Sequence, residues 1–276
     1  MKIDNIDNEV TPDSNGDSDV NAVTTSFVVQ PLSEDGCLRR HDVEMFEALF
    51  DNLLDVYFYA KDINGRWISC NTASLKLLNL TKVRDVIGVK EEDFFPKKIA
   101  EDIWQDDQKI LNNGQSVLNR VELITNSYGE LIWVNTNKLP IYSTSKKVIG
   151  IIGITRPIME QKELPQKYEL FNGVVEYIRE NLTSTIMISD LAREANLSES
   201  QLRRKFKQEF GLSPQAFIQQ ARLQAAAHLL RTETNTISQV AFQSGFSDQS
   251  YFTRQFKIFF GKTPKSYSQS WKFKSE

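Results

Sequence analysis

Apolar and polar positions alternate with different periods in the two halves of the chain. From Arg39 to Leu54, apolar residues recur at helical spacing and predict an amphipathic helix. Next, strand-like runs at 56–62 and 66–71 flank Asn64-Gly65, a pair that favours a tight hairpin turn. The pattern then predicts helices near 71–80 and 98–112 and strands at 116–124, 130–140 and 147–155. This order predicts an α+β domain with an antiparallel sheet.

From Tyr168 onward the pattern is helical throughout and contains an internal repeat. Residues 188–214 match residues 237–264 position by position after one inserted residue. Each copy has the pattern of a short helix, a turn and an amphipathic second helix, which predicts two helix-turn-helix units. Residues 214–230 between them are good helix formers and predict one long connecting helix.

The ends of these helices carry recognisable capping and turn residues. A hydroxyl followed three residues later by glutamine fits a capping box, which satisfies free amides at a helix start. Residues that tolerate a left-handed backbone stand in the two turns. The capping pairs are Ser198 with Gln201 and Thr236 with Gln239, and the turn residues are Asn196 and Gly245.

The face opposite the apolar one carries side chains suited to DNA. Arginine and glutamine can form paired hydrogen bonds with base edges, and lysine contacts phosphate. For one copy alone, an ordinary solvated face is the better interpretation. Recurrence of the basic positions in both copies favours DNA binding. The candidates are Ser200, Arg203, Arg204 and Lys207 in the first copy and Gln249, Ser250, Thr253, Arg254 and Lys257 in the second.

Charge is distributed unevenly along the chain, although the net charge is only -3. Residues 1–36 sum to -7, residues 37–165 to -1 and residues 166–276 to +5. A basic C-terminal region beside an acidic tail is expected when only that region contacts phosphate. The tail also lacks a sustained apolar period, so we expect it to be disordered.

The composition gives little support to catalysis, metal binding or membrane insertion. Cys37 and Cys70 form no metal-ligand pattern, and His41 and His228 are far apart in sequence. No apolar run is long enough to span a bilayer, and the N-terminus is acidic where a signal peptide would be basic. We therefore expect a cytoplasmic protein that is not an enzyme.

The order of elements in residues 42–158 resembles that of a PAS sensor domain. The resemblance rests on the hairpin from Asp62 to Arg66, Asn71 at a helix start, the segment 93–96 and the closing strand 150–154. It implies a domain that binds haem, flavin or a small molecule, or that dimerises.

Residues 168–274 resemble the DNA-binding domain of the AraC/XylS family of regulators. The matching segments are 188–214, 222–230, 245–257 and 261–267. By that resemblance, base edges are contacted by Ser200, Arg203 and Arg204 of the first unit and by Gln249, Ser250, Thr253 and Arg254 of the second. The chain then divides into an acidic tail (1–36), a PAS-like domain (37–158), a linker (159–167) and an AraC-type DNA-binding domain (168–276).

The sequence excludes some signals for the PAS-like region and leaves others. The absence of histidine between residues 42 and 165 argues against histidine-ligated haem, and the sequence around Cys70 argues against a cysteinyl flavin. A small-molecule pocket or a dimerisation surface remains. Residues that alternate along strands are pocket candidates, or else ordinary sheet residues. The candidates are Tyr57, Tyr59, Trp133, Asn135 and Asn137.

Together these features predict a sequence-specific transcription regulator whose PAS-like domain senses a small molecule or forms a homodimer. RNA polymerase is a further expected partner. Two alternatives are a DNA alkyl-damage repair protein, which needs a reactive cysteine, and a nucleoid-associated protein that binds DNA through charge alone. The polar residues Gln249, Ser250 and Thr253 favour base reading over the second alternative.

Overall fold

The computed structural model describes residues 39–53, 55–159, 163–232 and 235–272. The acidic tail predicted for residues 1–36 and Cys37 lie outside the described residues. Within those ranges, no helix combines the length and the apolar character needed to cross a bilayer.

The N-terminal region is built on a five-stranded antiparallel sheet with strand order β2-β1-β5-β4-β3. The predicted hairpin is confirmed, and Gly65 supplies the positive φ of 72° in its turn. The α+β class and the order of elements are also confirmed. The strands are β1 (Tyr57–Asp62), β2 (Trp67–Cys70), β3 (Val117–Thr125), β4 (Leu131–Tyr142) and β5 (Val148–Pro157).

Helices cover this sheet, and local hydrogen bonds fix where they begin. The Asn71 side chain, predicted to cap a helix, accepts hydrogen bonds from the backbone N–H groups of Ser74 at 3.1 Å and Phe58 at 3.0 Å. This asparagine therefore joins the helix start to the sheet. The helices are α1 (Arg40–Asp51), α2 (Thr72–Leu77) and α3 (Lys97–Asn113), with short 3₁₀ turns at Val83–Asp85 and Glu91–Asp93.

The C-terminal region is helical, as predicted, and both capping boxes are present. Asn196 and Gly245 adopt the predicted left-handed backbone, with φ of 52° and 81°. The helices are α4 (Gln166–Glu180), α5 (Ile188–Glu194), α6 (Glu199–Phe210), α7 (Pro214–Thr232), α8 (Ile237–Gln243), α9 (Gln249–Phe260) and α10 (Pro264–Lys272).

The long helix α7 contributes to two different hydrophobic cores. Its first half, including Phe217 and Ala221, packs with α4, α5 and α6. Its second half, including Leu223 and Leu230, packs with α8, α9 and α10. Each of these cores also continues into the N-terminal region, where it includes sheet residues. Helix α7 therefore fixes the two helix-turn-helix units relative to each other.

Candidate nucleic-acid interface and interdomain cavity

Helix α6 buries Leu202 and Phe206 and presents its polar side chains on the opposite face. The four sequence-predicted residues of this helix are all exposed. One of them has an ionic neighbour, because Arg203 Nη2 lies 3.5 Å from Glu199 Oε2. The exposed set is Ser200, Arg203, Arg204 and Lys207.

Helix α9 repeats this arrangement, with Phe252 and Phe256 buried. The Asp248 side chain caps the helix by accepting the Tyr251 backbone N–H at 2.5 Å. The Arg254 guanidinium lies 5.6 Å from the centre of the Tyr251 ring, a cation–π distance. Of the sequence-predicted residues, Gln249, Ser250, Arg254 and Lys257 are exposed, and Thr253 is half-buried.

Side chains of α7 attach both units to their surroundings. Arg222 donates from Nε to the Leu182 carbonyl at 2.8 Å and from Nη2 to the Ser184 carbonyl at 2.6 Å. Gln219 donates to the Gln255 side chain of α9 at 2.6 Å. These bonds hold α9 and the segment after α4 against the same helix.

The sheet contacts the C-terminal helices through side chains of β3 and β4. The Trp133 ring centre lies 5.4 Å from that of Tyr168 in α4 and 6.0 Å from that of Phe210, the last residue of α6. The Thr125 hydroxyl donates to the Gln224 side chain of α7 at 2.7 Å. The first candidate DNA-binding helix therefore ends directly against the sheet.

A cavity of about 500 Å³ lies between the sheet and the C-terminal helices. The predicted pocket residues Tyr57, Tyr59 and Trp133 line it. Asn135 and Asn137 do not line it: Asn137 donates to the Asn135 side chain at 2.8 Å and accepts the Asn119 backbone N–H at 2.9 Å. Thr136 and Lys138, their neighbours in β4, line the cavity instead.

The sequence analysis missed a buried ionic cluster beside this cavity. Lys61 Nζ pairs with Glu91 and lies 2.7 Å from Asp107 Oδ2, while Lys138 Nζ lies 2.6 Å from Asp107 Oδ1. Burial acts to lower the pKa of Lys61, but the two carboxylates outweigh it and the net pKa is raised. Burial likewise opposes ionisation of Asp107, yet the two lysines leave its pKa below the usual value. The lysines at positions 61 and 138, within the two strand patterns, were the available sequence signal.

Cys70, the cysteine that the structure describes, is buried in β2. Burial raises the pKa of its thiol to about 12, with smaller contributions from nearby carboxylates. A thiolate is therefore scarce at neutral pH, and this cysteine has the properties of a core residue.

Two family models match the chain. Residues 50–163 match the PAS fold, and residues 191–270 match a helix-turn-helix domain. The first segment contains the five-stranded sheet, and the second contains the two candidate DNA-binding helices.

Curated relatives are similar to part of the chain. The raffinose operon transcriptional regulatory protein RafR of Pediococcus pentosaceus is 35% identical over 102 residues, which are 37% of each chain. The transcriptional activator RhaS of Klebsiella pneumoniae is 22% identical over 190 residues, 69% of this chain and 64% of the relative. The chain spans between 34% and 64% of the length of the curated relatives it matches.

Solved structures also resemble part of the chain. An AraC-type regulator from Chromobacterium violaceum has 27% sequence identity and a TM-score of 0.36, covering 37% of this chain and 90% of its own. The protein VqmA bound to DPO has 20% identity and a TM-score of 0.39, covering 64% of this chain and 89% of its own.

Proposed function

We propose that this chain, which joins a PAS domain to an AraC-type helix-turn-helix domain, regulates transcription by binding specific DNA sequences. The observation that carries the proposal is the pair of exposed polar faces on α6 and α9, which share an arginine and a lysine at equivalent positions. These are Arg204 with Arg254 and Lys207 with Lys257. In each helix the buried apolar residues hold the opposite face in the core.

The length of α7 supports simultaneous contact with two grooves. Its 19 residues span roughly 28 Å at ~1.5 Å per residue. Successive major grooves on one side of DNA are about 34 Å apart. A rigid α7 would thus hold α6 and α9 at a separation of the right order, with the arginines directed to base edges and the lysines to phosphates.

The cavity supports a sensing role for the PAS domain, because its volume is that of a typical small-molecule site. Homodimerisation through this domain, contact with RNA polymerase and a cytoplasmic location are further parts of the proposal that rest on resemblance alone. Alkyl-damage repair receives no support from the buried Cys70, whose raised pKa opposes nucleophilic attack.

Genome-wide mapping of binding sites tests the proposal. We expect Arg204→Ala and Arg254→Ala each to lose about 1–3 kcal/mol of specific binding and to relax the sequence preference at different positions of the site. Lys205→Ala, which removes an exposed charge from α6 without changing a candidate base contact, is the matched control. An unaltered binding profile in both arginine variants would refute the assignment of these helices.

A further inference from the structure

The cavity is lined by both domains. On one side, the sheet and the segment before α3 contribute Tyr59, Trp67 and Phe94. On the other side, the C-terminal helices contribute Phe217 and Gln220 of α7. An occupant of this space would therefore contact the PAS domain and the helix that connects the two helix-turn-helix units at the same time.

The buried ionic cluster in the cavity wall is balanced within itself. Lys61, Glu91 and Lys138 line the wall, and Asp107 lies directly behind them. The four side chains carry two positive and two negative charges in contact with one another. A charged group placed against this cluster would lose its hydration without finding a free counter-charge there, which is costly in a buried site. Beside the cluster, the balance favours an uncharged group.

One acceptor in this wall is unsatisfied. Glu91 is 8% exposed, and its Oε1 pairs with Lys61 and accepts the Trp67 indole N–H at 3.1 Å. Its other oxygen, Oε2, is buried and has no hydrogen-bond partner among the described residues. Leaving a buried charged acceptor without a donor is unfavourable. A molecule with an N–H or O–H group at this point would remove that cost.

We propose that the cavity binds a small, uncharged, ring-containing molecule that donates a hydrogen bond to Glu91 Oε2 and is held by both domains together. The aromatic walls favour a flat ring, since aromatic rings pack well edge to face or offset. This inference rests on the proposed function and extends it, because it states the chemistry of the signal and the surfaces that detect it.

Trp133 gives the occupant a short connection to the DNA-binding face. It lines the cavity and packs against Tyr168 and Phe210. Phe210 is the last residue of α6. A molecule that changes the position of Trp133 would therefore act on the first candidate recognition helix through one side chain.

Isothermal titration of the full chain with indole and benzofuran tests the hydrogen bond. The two probes have the same shape, but only indole has an N–H group. We expect indole to bind at least about ten times more tightly, as a hydrogen bond to a charged group implies. Benzoate, an anionic ring, should bind less tightly than indole. Equal affinities for indole and benzofuran, no binding of either, or tighter binding of benzoate would overturn the proposal.

Glu91→Gln should reduce the preference for indole over benzofuran to a few-fold at most. Its exposed neighbour supplies the control, because Glu92→Gln should leave the preference unchanged. If Glu91→Gln unfolds the chain, the comparison of probes on the unsubstituted chain still decides the question. An unchanged preference in a folded Glu91→Gln chain would exclude Glu91 as the acceptor and overturn the proposal.

Hydrogen exchange with and without indole tests whether both domains contact the bound molecule. Indole should slow exchange both in β3 and β4 and in α7. Protection confined to the sheet would overturn the shared site. These measurements need no DNA, so their failure beside intact sequence-specific binding would refute this inference alone. Loss of specific DNA binding with a normal response to indole would instead refute the proposed function.

Discussion

The two helix-turn-helix units share a sequence pattern, yet they are attached to the molecule in different ways. In the first unit, α6 ends at Phe210 against Trp133 of the sheet, so an aromatic contact between side chains holds it. In the second unit, the turn at Gly245 lies against backbone and the Arg222 side chain. The first attachment therefore runs through an aromatic side chain of the sheet, and the second through a backbone carbonyl and an arginine of α7.

The exposed faces of α6 and α9 also differ in charge. Glu199 begins α6 and pairs with Arg203, whereas Gln249 begins α9 and no acidic residue occurs within that helix. The equivalent of Arg203 in α9 is the half-buried Thr253. The second unit thus offers a neutral and basic face to DNA, and the first offers a face with an internal ion pair.

The largest expected effect comes from the turn of the second unit. In Gly245→Ala, the added Cβ would lie 2.4 Å from the Leu182 carbonyl oxygen at a φ of 81°. Left-handed backbone alone costs alanine about 1–2 kcal/mol, and the clash adds to it, so we expect a loss above about 3 kcal/mol. Urea unfolding of the full chain measures the loss.

Gly211 provides the matched control for this substitution. It also has a positive φ, of 70°, but an added Cβ would have no neighbour within 4 Å. Gly211→Ala should therefore lose only the conformational cost of about 1–2 kcal/mol. Similar losses in both variants would show that the second turn is not rigidly packed and would remove the difference between the units.

A medium effect is expected from the lysines that the two units share. Lys207→Ala and Lys257→Ala should each weaken binding to specific and scrambled duplexes alike, since phosphate contacts carry no sequence information. Each should also reduce the slope of log affinity against log salt by about 1. Fluorescence anisotropy across a salt series measures both quantities. A change in only one variant would mean that one unit alone contacts the phosphates.

The smallest expected effect comes from making the first helix resemble the second. Glu199→Gln places at the start of α6 the residue type that begins α9 and releases Arg203 from its ion pair. An exposed pair of this kind is worth about 0.2–1 kcal/mol, so we expect specific DNA affinity to rise about twofold. Gln249→Glu should have the opposite effect. If affinity does not respond to either change, the helix starts lie away from DNA.

Local sequence rules predicted most of the fold and the exposed polar faces of α6 and α9. Capping residues such as Ser198 and the hydrophobic spacing of the repeat act within one turn of helix, so one sequence reveals them. The cluster of Lys61, Glu91, Asp107 and Lys138 escaped prediction because its members come from four separate segments that only the folded chain brings together.

The position of Asn135 and Asn137 relative to the cavity could not be predicted for a related reason. Alternation along β4 groups Asn135 with Asn137, but it does not say which side of the sheet the group faces. That choice depends on which helices cover the sheet. Lys138 reaches Asp107 of α3, and Thr136 and Lys138 both line the cavity.

The shared helix α7 limits how the gene for such a protein can be rearranged. A break between the two repeats would separate Phe217 and Ala221 from Leu223 and Leu230, and either product would expose an apolar surface that the other now covers. Neither repeat would be a soluble module by itself. The duplication is therefore expected to be inherited and recombined only as an intact pair.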